Sequence, residues 1–302
     1  MNVSRFRRQD HLGVAPVPAA RKGLRKGVYV IPSLFTSLNI LAGFYSLMAS
    51  MSGFSLLERG AVAEATVRFD HAAIAIGLAF LCDTLDGRIA RMTRSTTEIG
   101  VQLDSLADVV SFGLAPAMLA YAWGYGYALR DWPNLRQLAW FLSFMYVICG
   151  GFRLARFNVQ AMRPRPMAEG TSKVDKKSFV GLPIPVAGCL IAAIVHFAPT
   201  PLRFTQRFEV RAIGMLVLVA SLSVLMISTI RFTSFKSVGA GRRLSPRHVI
   251  LMIALFGLIY LYSQWVLLGL VVGYLAHGLL SSGLAPLFRL FSGKATSPPS
   301  SG

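Results

Sequence analysis

Charge is what this sequence has least of. Asp, Glu, Lys and Arg make up 15% of its 302 residues, where a soluble domain carries about a quarter. That scarcity argues against an ordinary soluble enzyme. Acid is rarer still, with 13 Asp and Glu against 31 Lys and Arg, a formal net charge of +18. The excess of base does not point to nucleic acid, because no basic residues interleave with aromatics on a soluble segment. Cysteine is nearly absent. Cys82, Cys149 and Cys189 lie inside apolar blocks, without a CxxC pair or a His at ligand spacing, which excludes a disulfide framework and a zinc site. Period-two alternation is missing, so a membrane barrel is excluded. A cleavable leader is not expected either: seven Lys and Arg fall within residues 1–27, and no short apolar core with a cleavage site follows them.

What the sequence does have is long apolar runs. Hydrophobic residues make up 54% of the chain, gathered into eight blocks near 31–52, 69–91, 101–125, 137–158, 179–198, 210–230, 249–263 and 265–284. Most reach the roughly 20 residues that a helical span needs. Lipid leaves no partner for an open backbone group, so these segments are expected to be helices. The expected fold is all-α: a polytopic membrane bundle of about eight transmembrane helices. Tyr262-Ser263-Gln264 marks the turn between the last two blocks. With the N-terminus in the cytoplasm, 24 of the 31 Lys and Arg fall on the cytoplasmic side, which orients both termini inward. The basic tail is expected to lie on anionic membrane lipid. Gly269 and Gly273 form a GxxxG in the last block, a candidate seam for a homodimer. Four of the five histidines, His71, His196, His248 and His277, are scattered without ligand spacing.

The chemistry concentrates in one stretch. Asp83-Thr-Leu-Asp86-Gly87-Arg-Ile-Ala90-Arg91 closes the second block, and Gly100-Val-Gln-Leu-Asp104-Ser-Leu-Ala-Asp108 opens the third. Spacings of three and four put each pair of carboxylates on one helix face, and the short connection makes the two helices antiparallel neighbours. Each Asp is costly near lipid, about 2.5–3.5 kcal/mol at the centre of a span and less near its ends. Four facing anions also repel one another. Two divalent cations, Mg²⁺ or Mn²⁺, remove both penalties, since hard oxygen ligands suit them. A metal pair about 3.5–4 Å apart clamps the entering and leaving oxygens of a phosphoryl displacement. Gly87 and Ala90 leave room for a base or phosphate near the backbone, and Arg91 offers a cation to a diphosphate.

The pattern D-x2-D-G-x2-A-R-x8-G-x3-D-x3-D, complete from Asp83 to Asp108, resembles the signature of the CDP-alcohol phosphatidyltransferase family. The resemblance implies a six-helix catalytic core, with Asp83, Asp86, Asp104 and Asp108 around a di-metal centre and Asp108 as general base. It further implies CDP-lipid contacts from Thr36, Gly87, Ala90, Arg91, Thr97 and Gly100. The core then spans residues 31–232. A basic segment precedes it (1–30), a pair of membrane helices follows it (233–290), and a Ser/Pro-rich tail ends the chain (291–302).

The acceptor alcohol is not written in that signature. Ser111-Phe112-Gly113 after the fourth Asp, Arg153-Leu-Ala-Arg156 closing the fourth block, Gly181-Leu-Pro183 opening the fifth and Pro32-Ser-Leu-Phe-Thr36 in the first are similar to the phosphatidylserine synthase branch of the family. Two positions bear on the comparison. Ser33 stands where the family often has Asn, and Val109 stands where phosphatidylglycerophosphate synthases usually carry Lys. The resemblance implies CDP-diacylglycerol and L-serine as substrates. Glycerol 3-phosphate, choline and inositol phosphate are the alternative acceptors, and an ion-coupled transporter is the reading from a different class. Arg153 and Arg156 are candidate acceptor ligands: a forked guanidinium suits a carboxylate, and equally a lipid phosphate. The expected location is the inner membrane of a bacterium, and the charge asymmetry puts the site at the cytoplasmic face.

Overall fold

A computed structural model describes residues 26–93, 98–162, 178–228, 231–233, 257–258, 261–278 and 280. Six helical segments in it are long and apolar enough to cross a bilayer: Leu34–Glu58, Val62–Ile89, Ile99–Ala128, Pro133–Val159, Ile184–Phe204 and Phe208–Ile227. They belong to helices α1 (Lys26–Glu58), α2 (Val62–Thr93), α3 (Ile99–Ala128), α4 (Pro133–Met162), α5 (Ile184–Phe197) and α6 (Phe208–Ile227). Residues 261–278 form a further helix, α7. The expected all-α membrane bundle is therefore present, with six spans among the described residues. Most of the seventh apolar block lies outside them, as do residues 1–25 and the tail. The turn expected at 262–264 is instead the first part of α7. Three residues are too few to break a helix without Gly or Pro.

The bundle is held together by small and polar inward faces. On α1, Thr36, Asn39, Gly43, Ser46, Ser50, Gly53 and Leu57 are buried and recur every three or four residues, the period of one helix face. On α2 the matching stripe is Ala65, Phe69, Ala72, Ala73, Ile76 and Ala79, continued by Asp86. Small residues allow close helix approach, which is what drives association where lipid is as apolar as the side chains. A Cβ at Gly53 would lie 2.8 Å from the Phe69 ring. The Ser46 hydroxyl donates to the Ala72 carbonyl at 2.9 Å, a bond of about 0.6–2 kcal/mol in such a setting. The outward faces carry large apolar side chains such as Leu41, Phe44, Leu78, Leu81, Trp140, Phe144, Val217 and Val224. In water such a belt would aggregate. Against lipid it is solvated, and the chain is an integral membrane protein.

Two irregularities bear on the site. The α3 backbone widens to π-helical hydrogen bonding over Val109–Leu114, directly after Asp108. Such bulges free carbonyls and are found at functional positions. Here the buried Tyr146 hydroxyl donates to the Phe112 carbonyl at 3.1 Å, and Ser111 Oγ donates to the Asn39 carbonyl at 2.9 Å. A Cβ at Gly43 would fall onto the Ser111 side chain, so α1 and α3 nearly touch at this level. The second irregularity precedes α5. Strand β1 (Ser178–Val180) pairs antiparallel with β2 (Arg231–Thr233), in register Phe179 to Phe232. Gly181 then turns with φ +82°, and a Cβ there would meet the Met226 carbonyl at 2.5 Å. Glycine meets both demands, and Pro183 stops the turn from entering the helix early.

Candidate active site

The end of α2 and the start of α3 bring the acids together. Asp83, Asp104 and Asp108 each place one carboxylate oxygen within 4.8 Å of the others. Asp86 lies beside them and interacts electrostatically with Asp104, yet its own orientation differs. It is 6% exposed and accepts a hydrogen bond from Thr36 Oγ1 through Oδ2. The sequence treats the four acids alike, whereas the structure gathers three and ties the fourth to α1. The tie follows from position, since Asp86 continues the buried stripe of α2 that faces α1.

These residues fit a hard divalent cation. One oxygen of Asp86 and one of Asp108 are buried with no hydrogen-bond partner among the described residues. A buried carboxylate oxygen without a partner is costly, and crowded anions add repulsion. Oxygen ligands at that spacing suit Mg²⁺, Mn²⁺ or a similar ion better than a soft metal.

The basic candidates separate. Arg153 is half-buried near the end of α4 and interacts electrostatically with Asp108. Its Nε is buried without a partner among the described residues. Arg156, three residues on, is exposed. One turn of helix therefore splits the pair into a half-buried cation and an exposed one. Gly87 is half-buried and Gly100 exposed on the two helices that carry the acids. Ala90 and Arg91 lie on the last turn of α2, with side chains outside the description, and Thr97 lies outside the described residues. At the other end of the chain, Gly269 and Gly273 are exposed on α7.

Sequence reading missed two features. Asn158 Nδ2 donates to Ser105 Oγ at 2.8 Å, which locks the end of α4 to α3 beside Asp104. The second is His196, read above as a scattered histidine. Its Nδ1 lies 2.6 Å from Asp70 Oδ1 and its Nε2 2.9 Å from Ser263 Oγ. These partners stand 126 and 67 residues away, so no local spacing could reveal them.

Comparison with known proteins agrees with this geometry. The model of the family described as CDP-alcohol phosphatidyltransferase matches residues 29–227. The chain is 34% identical over 211 residues to a CDP-diacylglycerol–serine O-phosphatidyltransferase of Helicobacter pylori, covering 70% of this chain and 75% of the relative. An archaetidylserine synthase of Methanothermobacter thermautotrophicus is 32% identical over 212 residues, 70% of this chain and 72% of its own. A yeast (Saccharomyces cerevisiae) CDP-diacylglycerol–serine O-phosphatidyltransferase is 38% identical over 162 residues, about half of each chain. The matched segment holds all six described spans and the acidic cluster between them, and the chain belongs to the CDP-alcohol phosphatidyltransferase family.

Proposed function

We propose that this protein transfers the phosphatidyl group of CDP-diacylglycerol to the hydroxyl of L-serine, releasing CMP. The observation that carries the reading is the meeting of Asp83, Asp104 and Asp108, with Arg153 beside Asp108, in a chain whose relatives are named for serine or archaetidylserine chemistry. Asp83, Asp86, Asp104 and Asp108 are the residues that would hold two divalent cations, Mg²⁺ or Mn²⁺. Bound there, the cations supply positive charge to the diphosphate oxygens and to the leaving group.

The chain's own residues do the rest. Asp108 takes the proton of the serine hydroxyl, and the serine oxygen bonds to the β-phosphorus while the bond from that phosphorus to the CMP oxygen breaks. Asp104 stands four residues before Asp108 on the same helix face and, with Asp83, would help hold the cations. Thr36 fixes the carboxylate plane of Asp86 by its hydrogen bond. Gly87, Ala90, Arg91, Thr97 and Gly100 are assigned to the CDP-lipid, Arg91 to its diphosphate. Arg153 takes the serine carboxylate in a charge-assisted, forked contact, and Arg156 supports it from the rim.

The catalytic core is residues 31–232, with residues 233–290 an added pair of helices. The distribution of Lys and Arg supports a cytoplasmic location for both termini and the acidic end of the bundle, which we assign to the inner membrane of a bacterium. Lipid substrate then enters sideways from the bilayer and serine from the water. Purified protein with CDP-diacylglycerol, Mn²⁺ or Mg²⁺ and a panel of serine, glycerol 3-phosphate, choline and inositol phosphate tests the reading through CMP release. Serine alone should support turnover. Turnover with another member and none with serine would reassign the acceptor, and no CMP with any of them would remove the transferase reading.

A further inference from the structure

A cavity of about 180 Å³ opens at the end of the bundle away from the acids. Its walls include Phe54 and Glu58 of α1, Tyr121 and Tyr127 of α3, Arg130 just after α3, and Arg136 of α4. We propose that it binds the headgroup of a zwitterionic phospholipid, with the phosphate on Arg130 and Arg136 and a primary ammonium on Glu58.

The cavity lies at the headgroup level of the second leaflet. Thr36, which bonds to Asp86, is separated from Glu58 by about 33 Å of α1, and the hydrocarbon core of a bilayer is about 30 Å thick. The acids and the cavity therefore lie at opposite faces of the membrane. Trp132, exposed between Arg130 and Arg136 in the chain, is of the type that settles at this level.

The aromatic wall is set by contacts within the protein. The Tyr127 hydroxyl donates to the Leu57 carbonyl at 3.2 Å. Its ring meets Phe54 edge-on, with centroids 6.0 Å apart at 89°, and stacks on Phe204 at 6.2 Å. Tyr121 rests against the backbone of its own helix, where a Cβ at Gly126 would fall 2.5 Å from its ring.

Charge lines the cavity without cancelling inside it. Glu58 and Arg136 form no ion pair or side-chain hydrogen bond among the described residues. Arg130 is held in place: its guanidinium lies 4.7 Å from the Tyr127 ring centre, and Nη1 donates to the Tyr127 hydroxyl at 2.9 Å. Its contact with Asp131 is long, 3.7 Å, and Asp131 stands closer to Arg203, at 2.8 Å. A guanidinium has five N–H donors, so Arg130 keeps donors for a ligand. Phosphate suits a pair of forked guanidinium groups. An ammonium suits Glu58, with the faces of aromatic rings beside it. A purely anionic headgroup would meet the charge of Glu58, and a simple cation would meet two arginines, so a ligand carrying both signs is the best match. The volume is below the roughly 300–1,000 Å³ of a pocket for a drug-sized ligand. A headgroup fits it, with the acyl chains left in the bilayer.

The test is lipid binding to the purified whole chain in detergent, in EDTA so that the acidic site holds no added cation. Native mass spectrometry follows titration with short-chain phosphatidylethanolamine, which carries the ammonium, and with short-chain phosphatidylglycerol, which lacks it. The ethanolamine lipid should bind about three- to tenfold more tightly, the range for a charge-assisted contact at an open site. Glu58→Gln should remove that preference and leave phosphatidylglycerol binding no weaker. Arg136→Gln should weaken both lipids by about three- to tenfold. Arg59→Gln, at an exposed neighbour outside the cavity wall, should change neither. Glu58 and Arg136 are themselves exposed, so their variants should melt with the parent when no lipid is added. Equal affinity of the parent for the two lipids, or a preference that survives Glu58→Gln, overturns the proposal. So does an equal loss in Arg59→Gln, which would assign the effect to general surface charge. Soluble phosphoethanolamine is the last arm: if it binds at this site and the lipid does not, the lipid assignment is overturned in favour of a free metabolite.

Discussion

The two ends of this helix bundle treat acid in opposite ways. At one end Asp70 is paired with His196, and His196 with Ser263, so these three side chains partner one another. At the other, Asp83, Asp104 and Asp108 crowd within 4.8 Å, while Asp86 and Asp108 each keep a buried oxygen unpaired among the described residues. Both ends bear the cost of acid in a membrane protein. The paired end recovers it in folding, by joining α2, α5 and α7. In the proposed reading, the crowded end recovers it in binding, when cations arrive. Partnered polar groups join helices, whereas crowded carboxylates with unpaired oxygens are suited to a cation.

The comparison breaks most sharply on substitution of the crowded acids. Asp83→Asn, Asp104→Asn and Asp108→Asn, and Asp86→Asn with them, should each lower CMP release by about a hundred- to thousandfold or more. The carboxamide keeps the shape and loses the charge. Thermal unfolding of these variants in EDTA should not occur below that of the parent, because removing one of several repelling anions does not weaken the metal-free protein. Full activity in any one of them at saturating metal would show that the acids do not act together.

Metal removal is the next largest effect. EDTA should stop CMP release, and Mn²⁺ or Mg²⁺ should restore it. Saturating cation should also raise the melting temperature of the parent by mass action, and that rise should be lost in Asp108→Asn. Unchanged turnover in EDTA would defeat the cation reading.

Arg153→Ala should reduce efficiency with serine by about ten- to a hundredfold, the loss of a charged hydrogen bond of roughly 1.5–3 kcal/mol. Arg156→Ala, at the exposed rim, should cost less than tenfold. Equal losses would mean that the burial difference between the two arginines is without consequence. Michaelis constants for both substrates, measured on both variants, decide this.

The smallest effect belongs to the paired end. Asp70→Asn or Ser263→Ala should lower stability by about 0.6–2 kcal/mol, the range for interhelical polar bonds in membranes. Turnover at saturating serine should be unaffected, as should its dependence on metal. A variant at Asp70 that abolished metal-dependent turnover while the protein remained folded would erase the distinction between the two ends.

Much of the fold and half of the site are legible in sequence. The apolar blocks near 31–52, 69–91 and 137–158 reappear within α1, α2 and α4, because length and hydropathy are local and lipid allows few alternatives to a helix. Asp104 and Asp108 share a face because a spacing of four dictates it. Other features were out of reach. The π-helical bulge after Asp108 has no signature in Val109-Val-Ser-Phe-Gly-Leu114 and is accompanied by contacts from Tyr146 and from the Asn39 backbone on other helices. The turn read at Tyr262-Ser-Gln264 is helical, since polar residues there serve docking rather than a loop.

Composition and helical periodicity by themselves determined that this is a membrane protein with carboxylates paired on helix faces, and its signature pattern determined the family. Both are properties of a few consecutive turns, where covalent geometry sets which residues lie together. Only the tertiary structure decided that Asp86 turns to Thr36 while three other acids meet, that Arg153 is half-buried and Arg156 exposed, and that His196 ties α2 to α7. Those outcomes depend on how each helix is rotated about its own axis, which is set by packing between residues 50 to 126 positions apart.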